Sequence, residues 1–180
     1  MRILLTGATG YIGKRLLPAL LANGHTVICC VRDKTRFEIP TGFEHLVKVQ
    51  EWDFLNTNQP LSKFTEDFDI AYYLIHSMSS SILQFVQFEQ LSANNFRKIA
   101  ENSSAKQIIY LSGIVNEEKL SPHLQSRKNV EDILMDSKIP TTVLRAGIIV
   151  GSGSASFEII RDLVEKLPIM IAPKWLNTKC

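Results

Sequence analysis

Three glycines fall within the seven residues Gly7 to Gly13 of Thr6-Gly7-Ala8-Thr9-Gly10-Tyr11-Ile12-Gly13, and what flanks them fixes how this chain can fold. Arg2-Ile3-Leu4-Leu5, just before, is a short apolar run that reads as a buried strand. Lys14-Arg15-Leu16-Leu17-Pro18-Ala19-Leu20-Leu21, just after, repeats its apolar residues at helical spacing. A strand, a glycine turn and a helix in that order let the backbone bend tightly and bring bare N–H groups close to a ligand. The opening helix aims the positive end of its dipole at the same place. A pyrophosphate suits such a turn, and Gly7, Thr9, Gly10, Tyr11, Ile12 and Gly13 are its candidate contacts. The alternative is a glycine-rich connection that binds nothing.

The chain has 180 residues, 45% hydrophobic and 21% charged, which supports one domain with a proper core and leaves little room for two. A net charge of +2, without runs of like charge, gives no reason to expect a nucleic-acid partner. Three cysteines, with Cys29 and Cys30 adjacent in an apolar run, suit buried reduced thiols better than a disulfide framework or a metal site. No signal-peptide pattern precedes the glycine turn, and no apolar stretch has the length of a membrane span. A soluble protein of the cytoplasm is the expectation.

Farther along, Asn23-Gly24 stops the first helix and 25–31 reads as a second strand. Arg32 follows it, nineteen residues beyond Gly13 and close to the ~20 at which dinucleotide folds read the adenosine ribose. A guanidinium there can clamp a 2′-phosphate, which favours NADP while leaving NAD open. Asp33 could turn inward in its place, and an exposed arginine at a strand end is also ordinary surface chemistry. Residues 33–43 form a polar connection, and strands are expected over 46–51, 69–75, 107–113 and 141–150. Helices are expected over 82–100, with apolar groups on more than one face, from Ser121-Pro122 onward, and over 154–166. Glu131, one turn beyond Arg127, is spaced to pair with it. Strands alternating with helices predict a parallel sheet, doubly wound, in a three-layer α/β/α Rossmann arrangement.

The spacing GxxGxxG in TGATGYIG resembles the fingerprint of the extended and atypical short-chain dehydrogenase/reductases. The segment AYYLIHSM resembles their NmrA-like, NAD(P)H-binding branch, and 144–154 resembles the LRPxxxxGPG segment of extended members. The resemblance covers nearly the whole chain and implies a nicotinamide cofactor bound by a single Rossmann domain over 1–180. Because related chains continue further, it also implies that a C-terminal substrate-binding portion is missing and that much of the substrate pocket goes with it.

By that resemblance, Asp53 of Trp52-Asp53-Phe54 lies where an Asp meets the adenine amino group, with Phe54 beside it, unless Asp53 merely caps the following turn. Leu74 and His76 fall beside the cofactor at the end of the fourth strand, His76 as a hydrogen-bonded structural residue rather than a proton-transfer group, and Ser112 falls where a hydroxyl orients the substrate. The helix over 82–100 corresponds to one that often packs against a second subunit, so a homodimer is a reading alongside burial within a monomer. The family's Tyr-x-x-x-Lys is replaced by His123-Leu124-Gln125-Ser126-Arg127, with the spacing kept. A histidine can supply the tyrosine's proton and an arginine can still bind ribose or phosphate, although it cannot deprotonate. Three readings follow. They are an NADP(H)-dependent oxidoreductase acting on a small carbonyl or quinone-like substrate, a nicotinamide-sensing module without turnover, and a nucleoside-diphosphate-sugar epimerase. For His123 and Arg127 the further alternative is two solvated residues on a first helical turn.

Overall fold

The computed structural model describes residues 1–76, 82–114 and 120–167, with backbone alone for 82, 83, 155 and 156. Ser77 and Met78 of the His76-Ser77-Met78 segment, and the tail with Pro173, Trp175 and Cys180, lie outside the described residues. The chain forms two compact units, 1–146 and 147–180.

The first unit contains six parallel strands: β1 (Arg2–Thr6), β2 (Thr26–Val31), β3 (Val47–Glu51), β4 (Ile70–Tyr73), β5 (Gln107–Gly113) and β6 (Thr141–Ala146). Their spatial order is β3-β2-β1-β4-β5-β6. The chain starts at the centre, winds outward to one edge, then returns beside β1 and winds to the other. This reversal between β1 and β4 is the switch point at which doubly wound sheets bind ligands, beyond the carboxyl ends of the strands. Its register pairs Leu5 with Cys29 on one side and with Tyr72 on the other.

Side chains alternate across each strand and feed two separate cores. Ile3, Leu5, Val27 and Cys29 pack with Leu17, Leu20 and Leu21 of α1 (Tyr11–Ala22) on one face. Leu4, Ile28, Ala71, Tyr73, Ile108 and Tyr110 pack on the other with Phe96 of α2 (Ile82–Glu101) and with Val130 and Leu134 of α3 (Pro122–Met135). Helices thus cover both faces, giving the expected Rossmann arrangement. The two thiols divide likewise, and burial pushes that of Cys29 up to about 12, so both cysteines act as small apolar fillers.

Local chemistry sets the element ends. At the end of α1, Gly24 adopts φ +72 while its N–H and that of His25 bond back to Leu21 and Leu20. Ser121 caps α3 by accepting from the Leu124 N–H, with Pro122 behind it. Two strands are shorter than the apolar runs suggest. β4 ends at Tyr73 because the next amide, of Leu74, is taken by Thr6 Oγ1 at 3.1 Å. β6 ends at Ala146 because its pairing partner β5 ends opposite at Gly113, and Ile148 and Val150 beyond it are exposed.

The second unit, as far as Leu167, is a turn through Gly151–Gly153 followed by α4 (Ala155–Lys166). Ser154 caps that helix by accepting from the Phe157 N–H, and its own hydroxyl donates to the Ile149 carbonyl.

Candidate functional site

The glycine turn runs from the end of β1 into α1. Gly10 is the N-cap residue and has no side chain to cap with, so the first amides of α1, at Tyr11, Ile12 and Gly13, are not satisfied from within a helix. Close packing demands glycine here. A Cβ on Gly13 would lie 2.2 Å from the Gly7 carbonyl oxygen. Gly7 has φ +66, and a Cβ there would lie 2.6 Å from the Leu74 carbonyl oxygen. The turn therefore lies directly against the chain leaving β4. Thr6 reinforces the contact: it is fully buried, donates to the Tyr72 carbonyl at 2.9 Å and accepts from Leu74. Thr9 and Gly10 are exposed at the mouth of the turn, and Arg15 lies 3.7 Å over the Tyr11 ring.

At the end of β2, Arg32 is exposed. Asp33 is committed to the turn, accepting from the Thr35 N–H at 2.9 Å and from its hydroxyl at 2.6 Å. Asp53, at the end of β3, accepts from the Leu55 N–H at 3.0 Å, so it does cap the following turn. The Phe54 side chain is in the core, its ring 5.9 Å from that of Phe96, and its carbonyl accepts from Asn95. What Phe54 can present to a ligand is backbone.

His76 and His123 come together. His76 follows β4, His123 is exposed on the first turn of α3, and their ring centroids are 4.9 Å apart at 80°. Phe85 of α2 supports both, stacked on His123 at 5.4 Å and edge-on to His76 at 5.6 Å. Partial burial, then the neighbouring His76 and Arg127, hold His123 below the usual imidazole range.

Ser112 and Arg127 lie deeper. Ser112 is buried on the same face of β5 as Tyr110, and Arg127 donates to the Leu111 carbonyl at 3.1 Å while its own carbonyl accepts from the Tyr110 hydroxyl at 3.4 Å. Arg127 thus ties α3 to β5 as well as carrying charge. It does not pair with Glu131, as the helical spacing suggested. Glu131 is bound by Arg145 of β6 through two contacts, at 2.5 and 3.2 Å, because its side chain faces the sheet while Arg145 closes over it from the edge strand.

One residue escaped sequence reasoning. Glu89 of α2 is 1% exposed and places Oε1 3.5 Å from His76 Nδ1. Its signal was available: Phe85, Glu89, Ser92, Ala93 and Phe96 fall on one helical stripe, so a carboxylate sits where apolar side chains belong.

The family model described as NAD(P)H-binding matches residues 7–166, from the glycine turn to the end of α4. The chain belongs to the NAD(P)H-binding family. Its resemblance to the extended short-chain dehydrogenase/reductases stands with this membership. ADP-L-glycero-D-manno-heptose-6-epimerase of Pseudomonas aeruginosa is 33% identical over 98 residues, 54% of this chain and 29% of that enzyme. Among solved structures, UDP-glucuronic acid 4-epimerase of Bacillus cereus, in complex with NAD, superimposes with a TM-score of 0.67 at 23% identity, over 92% of this chain and 64% of that one. The enzyme WbmG of Bordetella bronchiseptica, also with NAD, gives 0.74 at 16% identity, over 92% and 59%. The NAD(P)H-binding chain therefore spans less than two thirds of the length of these relatives. Among the described residues no helix is long and apolar enough to cross a membrane.

Proposed function

We propose that this chain carries the nucleotide site of an NADP(H)-dependent oxidoreductase of the atypical short-chain type, acting on a small carbonyl or quinone-like substrate, with His123 as the proton-transfer group. The observation that carries the reading is the position of His123, exposed beside His76 on the helix that follows β5, at the carboxyl end of the sheet.

The residues present fit a nicotinamide dinucleotide. The uncapped amides of Tyr11, Ile12 and Gly13 would hold the pyrophosphate, and the missing Cβ atoms at Gly7 and Gly13 leave the backbone close enough to receive it. Arg32, exposed and relieved of competition because Asp33 is bound to Thr35, supports recognition of a 2′-phosphate. Such a cofactor supplies or accepts the hydride. His123 does the complementary proton work. Held below the usual imidazole range, it is mainly neutral at pH 7 and takes the proton of a hydroxyl that is being oxidised. In the reducing direction it must first be protonated, so reduction is favoured at lower pH. Arg127 contributes a fixed positive charge that supports binding of the ribose or phosphate.

A second reading has its own support, since the named relatives include epimerases of nucleotide sugars. It shares the first half of the chemistry, removal of a hydride and a proton, and returns both to the same substrate. The experiment separates the readings: NADPH and NADH are mixed in turn with a panel of carbonyls and quinones, and loss of reduced nicotinamide absorbance is followed for wild type, His123→Ala and Arg32→Ala. Net consumption that falls in His123→Ala supports the oxidoreductase, and a preference for NADPH that Arg32→Ala removes supports the role of Arg32. Interconversion of nucleotide sugars without net consumption favours the epimerase. Tight nucleotide binding with no turnover of either kind favours a sensing module, and turnover unchanged in His123→Ala overturns the role of His123.

A further inference from the structure

A carboxylate buried to 1% exposure in a helix stripe is costly unless it is compensated, and Glu89 lies within reach of a histidine whose ring touches His123. Among the described residues, the groups that face His76 are Glu89 and Phe85 from α2, and His123 from the first turn of α3. Behind them lie Tyr73 of β4, Tyr110 of β5 and Arg127 of α3. The two phenols stay neutral, because burial raises both above the ordinary tyrosine range, Tyr73 the more strongly. The Tyr73 hydroxyl is already bonded to Ser92 at 3.1 Å, and the Tyr110 hydroxyl donates to the Arg127 carbonyl. His76 Nδ1 is buried and has no hydrogen-bond partner among the described residues, and the Glu89 carboxylate 3.5 Å away is the acceptor facing it. Phe85 packs edge-on against the same ring, at 89°.

We propose that Glu89 is a positioning residue: its carboxylate accepts the Nδ1–H of His76, and so fixes the tautomer and ring orientation that His76 presents to His123. A neutral imidazole carries one N–H, so committing it to Nδ1 leaves Nε2 with its lone pair. Which nitrogen of a histidine can take a proton is decided by the hydrogen bond its other nitrogen makes, and here a buried acid on α2 makes that choice for a ring on the loop after β4. The site would then hold an ordered chain of carboxylate, imidazole and imidazole, with its buried end on α2 and its exposed end at His123. The functional meaning of this chain rests on the proton-transfer role of His123 proposed above. The Glu89–His76 contact itself does not.

Isotope-edited NMR of the histidine ring nitrogens in the full chain, with no nucleotide or substrate added, tests the proposal. Single substitutions of His25, His45 and His123 assign the signals. The expected result is that neutral His76 is the Nδ1–H tautomer in wild type. Glu89→Leu, which removes the acceptor at similar volume, shifts His76 toward the Nε2–H form that a free imidazole prefers. Glu89→Gln, whose amide oxygen still accepts, restores Nδ1–H. A wild-type His76 in the Nε2–H form overturns the proposal, as does a folded Glu89→Leu with its tautomer unchanged. Should Glu89→Leu fail to fold, the wild type and Glu89→Gln decide, since both must show Nδ1–H. In His76→Gln the titration midpoint of His123 rises toward the free imidazole value of about 6.5, because a neighbour that disfavours its charge is gone. A midpoint that stays put refutes the coupling between the two rings. Because no cofactor is involved, a confirmed tautomer in a protein without turnover defeats the oxidoreductase reading and leaves the Glu89–His76 contact standing. A failed tautomer with His123-dependent turnover does the reverse.

Discussion

Replacing Gly13 by Ala tests whether the glycine turn is built as described. The added Cβ would lie 2.2 Å from the Gly7 carbonyl oxygen, 2.8 Å from the Ala8 Cα and 2.9 Å from the Gly7 carbonyl carbon, all backbone atoms. No rotamer change relieves such contacts. Since real Cβ atoms essentially never approach under 3.0 Å, the start of α1 must move by at least about 0.8 Å relative to the turn. Overpacking costs about 1–3 kcal/mol, and a clash between backbone atoms belongs at the upper end. Alanine regains up to ~1 kcal/mol in helix propensity. The net is a loss of about 2 kcal/mol, or a fall in Tm of roughly 4–8 °C for a chain of this size. The same shift displaces the amides of Tyr11, Ile12 and Gly13, so affinity for a nicotinamide dinucleotide should fall at least about tenfold, equivalent to ~1.4 kcal/mol. Gly10→Ala is the control. Its φ of −77 suits any residue, and the nearest obstacle is the Gly7 oxygen at 3.2 Å. It should cost only about 0.5–1 kcal/mol, as an alanine at an N-cap does. Thermal unfolding by circular dichroism and titration calorimetry with NADPH read both quantities. If Gly13→Ala matches wild type in Tm and affinity, the close packing of turn and helix is refuted.

Two further expectations concern stability. Asp67 accepts from the N–H and hydroxyl of Ser104 and from Arg2, contacts that hold its carboxyl down to about 2, the backbone N–H first among them. Its folded value lies below the unfolded one of about 3.9, so the stabilisation is complete above that pH and disappears as pH falls toward 2. Asp67→Asn should therefore lower Tm at pH 6 and flatten its dependence below pH 4, and an unchanged acid limb in thermal melts would remove Asp67 from this role. Arg145→Met should destabilise the first unit by leaving the buried Glu131 carboxylate uncompensated, whereas the double variant with Glu131→Met should recover most of the lost Tm. A double variant no more stable than Arg145→Met alone would show that the pair matters for something other than mutual neutralisation.

The sequence made the parallel sheet legible because its strands are nearly continuous apolar runs, punctuated by glycine and by helical spacing in between. Strand ends were less legible. Nothing in the apolar run over 69–75 announces that Thr6, far away in sequence, will take the Leu74 amide. Helical spacing offered Arg127 as the partner of Glu131, but it cannot show which side of α3 meets the sheet. That side brings Glu131 under Arg145, and Arg127 to the carbonyl of Leu111. The meeting of His76 with His123 was illegible for the same reason, since it depends on β4 and β5 lying side by side.

Glu89 and Glu131 are two buried carboxylates of the same kind. Each interrupts an apolar stripe of its helix, each is buried to 1%, and each faces a basic side chain contributed by the sheet or by the loop leaving it. A chain that merely needed a core would place leucine at both positions, because a buried ion pair rarely outperforms a well-packed apolar pair in stability. Glu131 fastens the edge strand, where Arg145 can still exchange with solvent on its exposed side. Glu89 lies beside the ring of His76, where its charge bears on the buried Tyr73 and Tyr110 and on His123. The family's tyrosine and lysine are absent from positions 123 and 127, and the arginine that replaces the lysine is tied to β5. If His123 transfers the proton as proposed, control of that proton would come from elsewhere in the fold, and Glu89, placed 3.5 Å from His76, is the buried acid positioned to exert it through that ring.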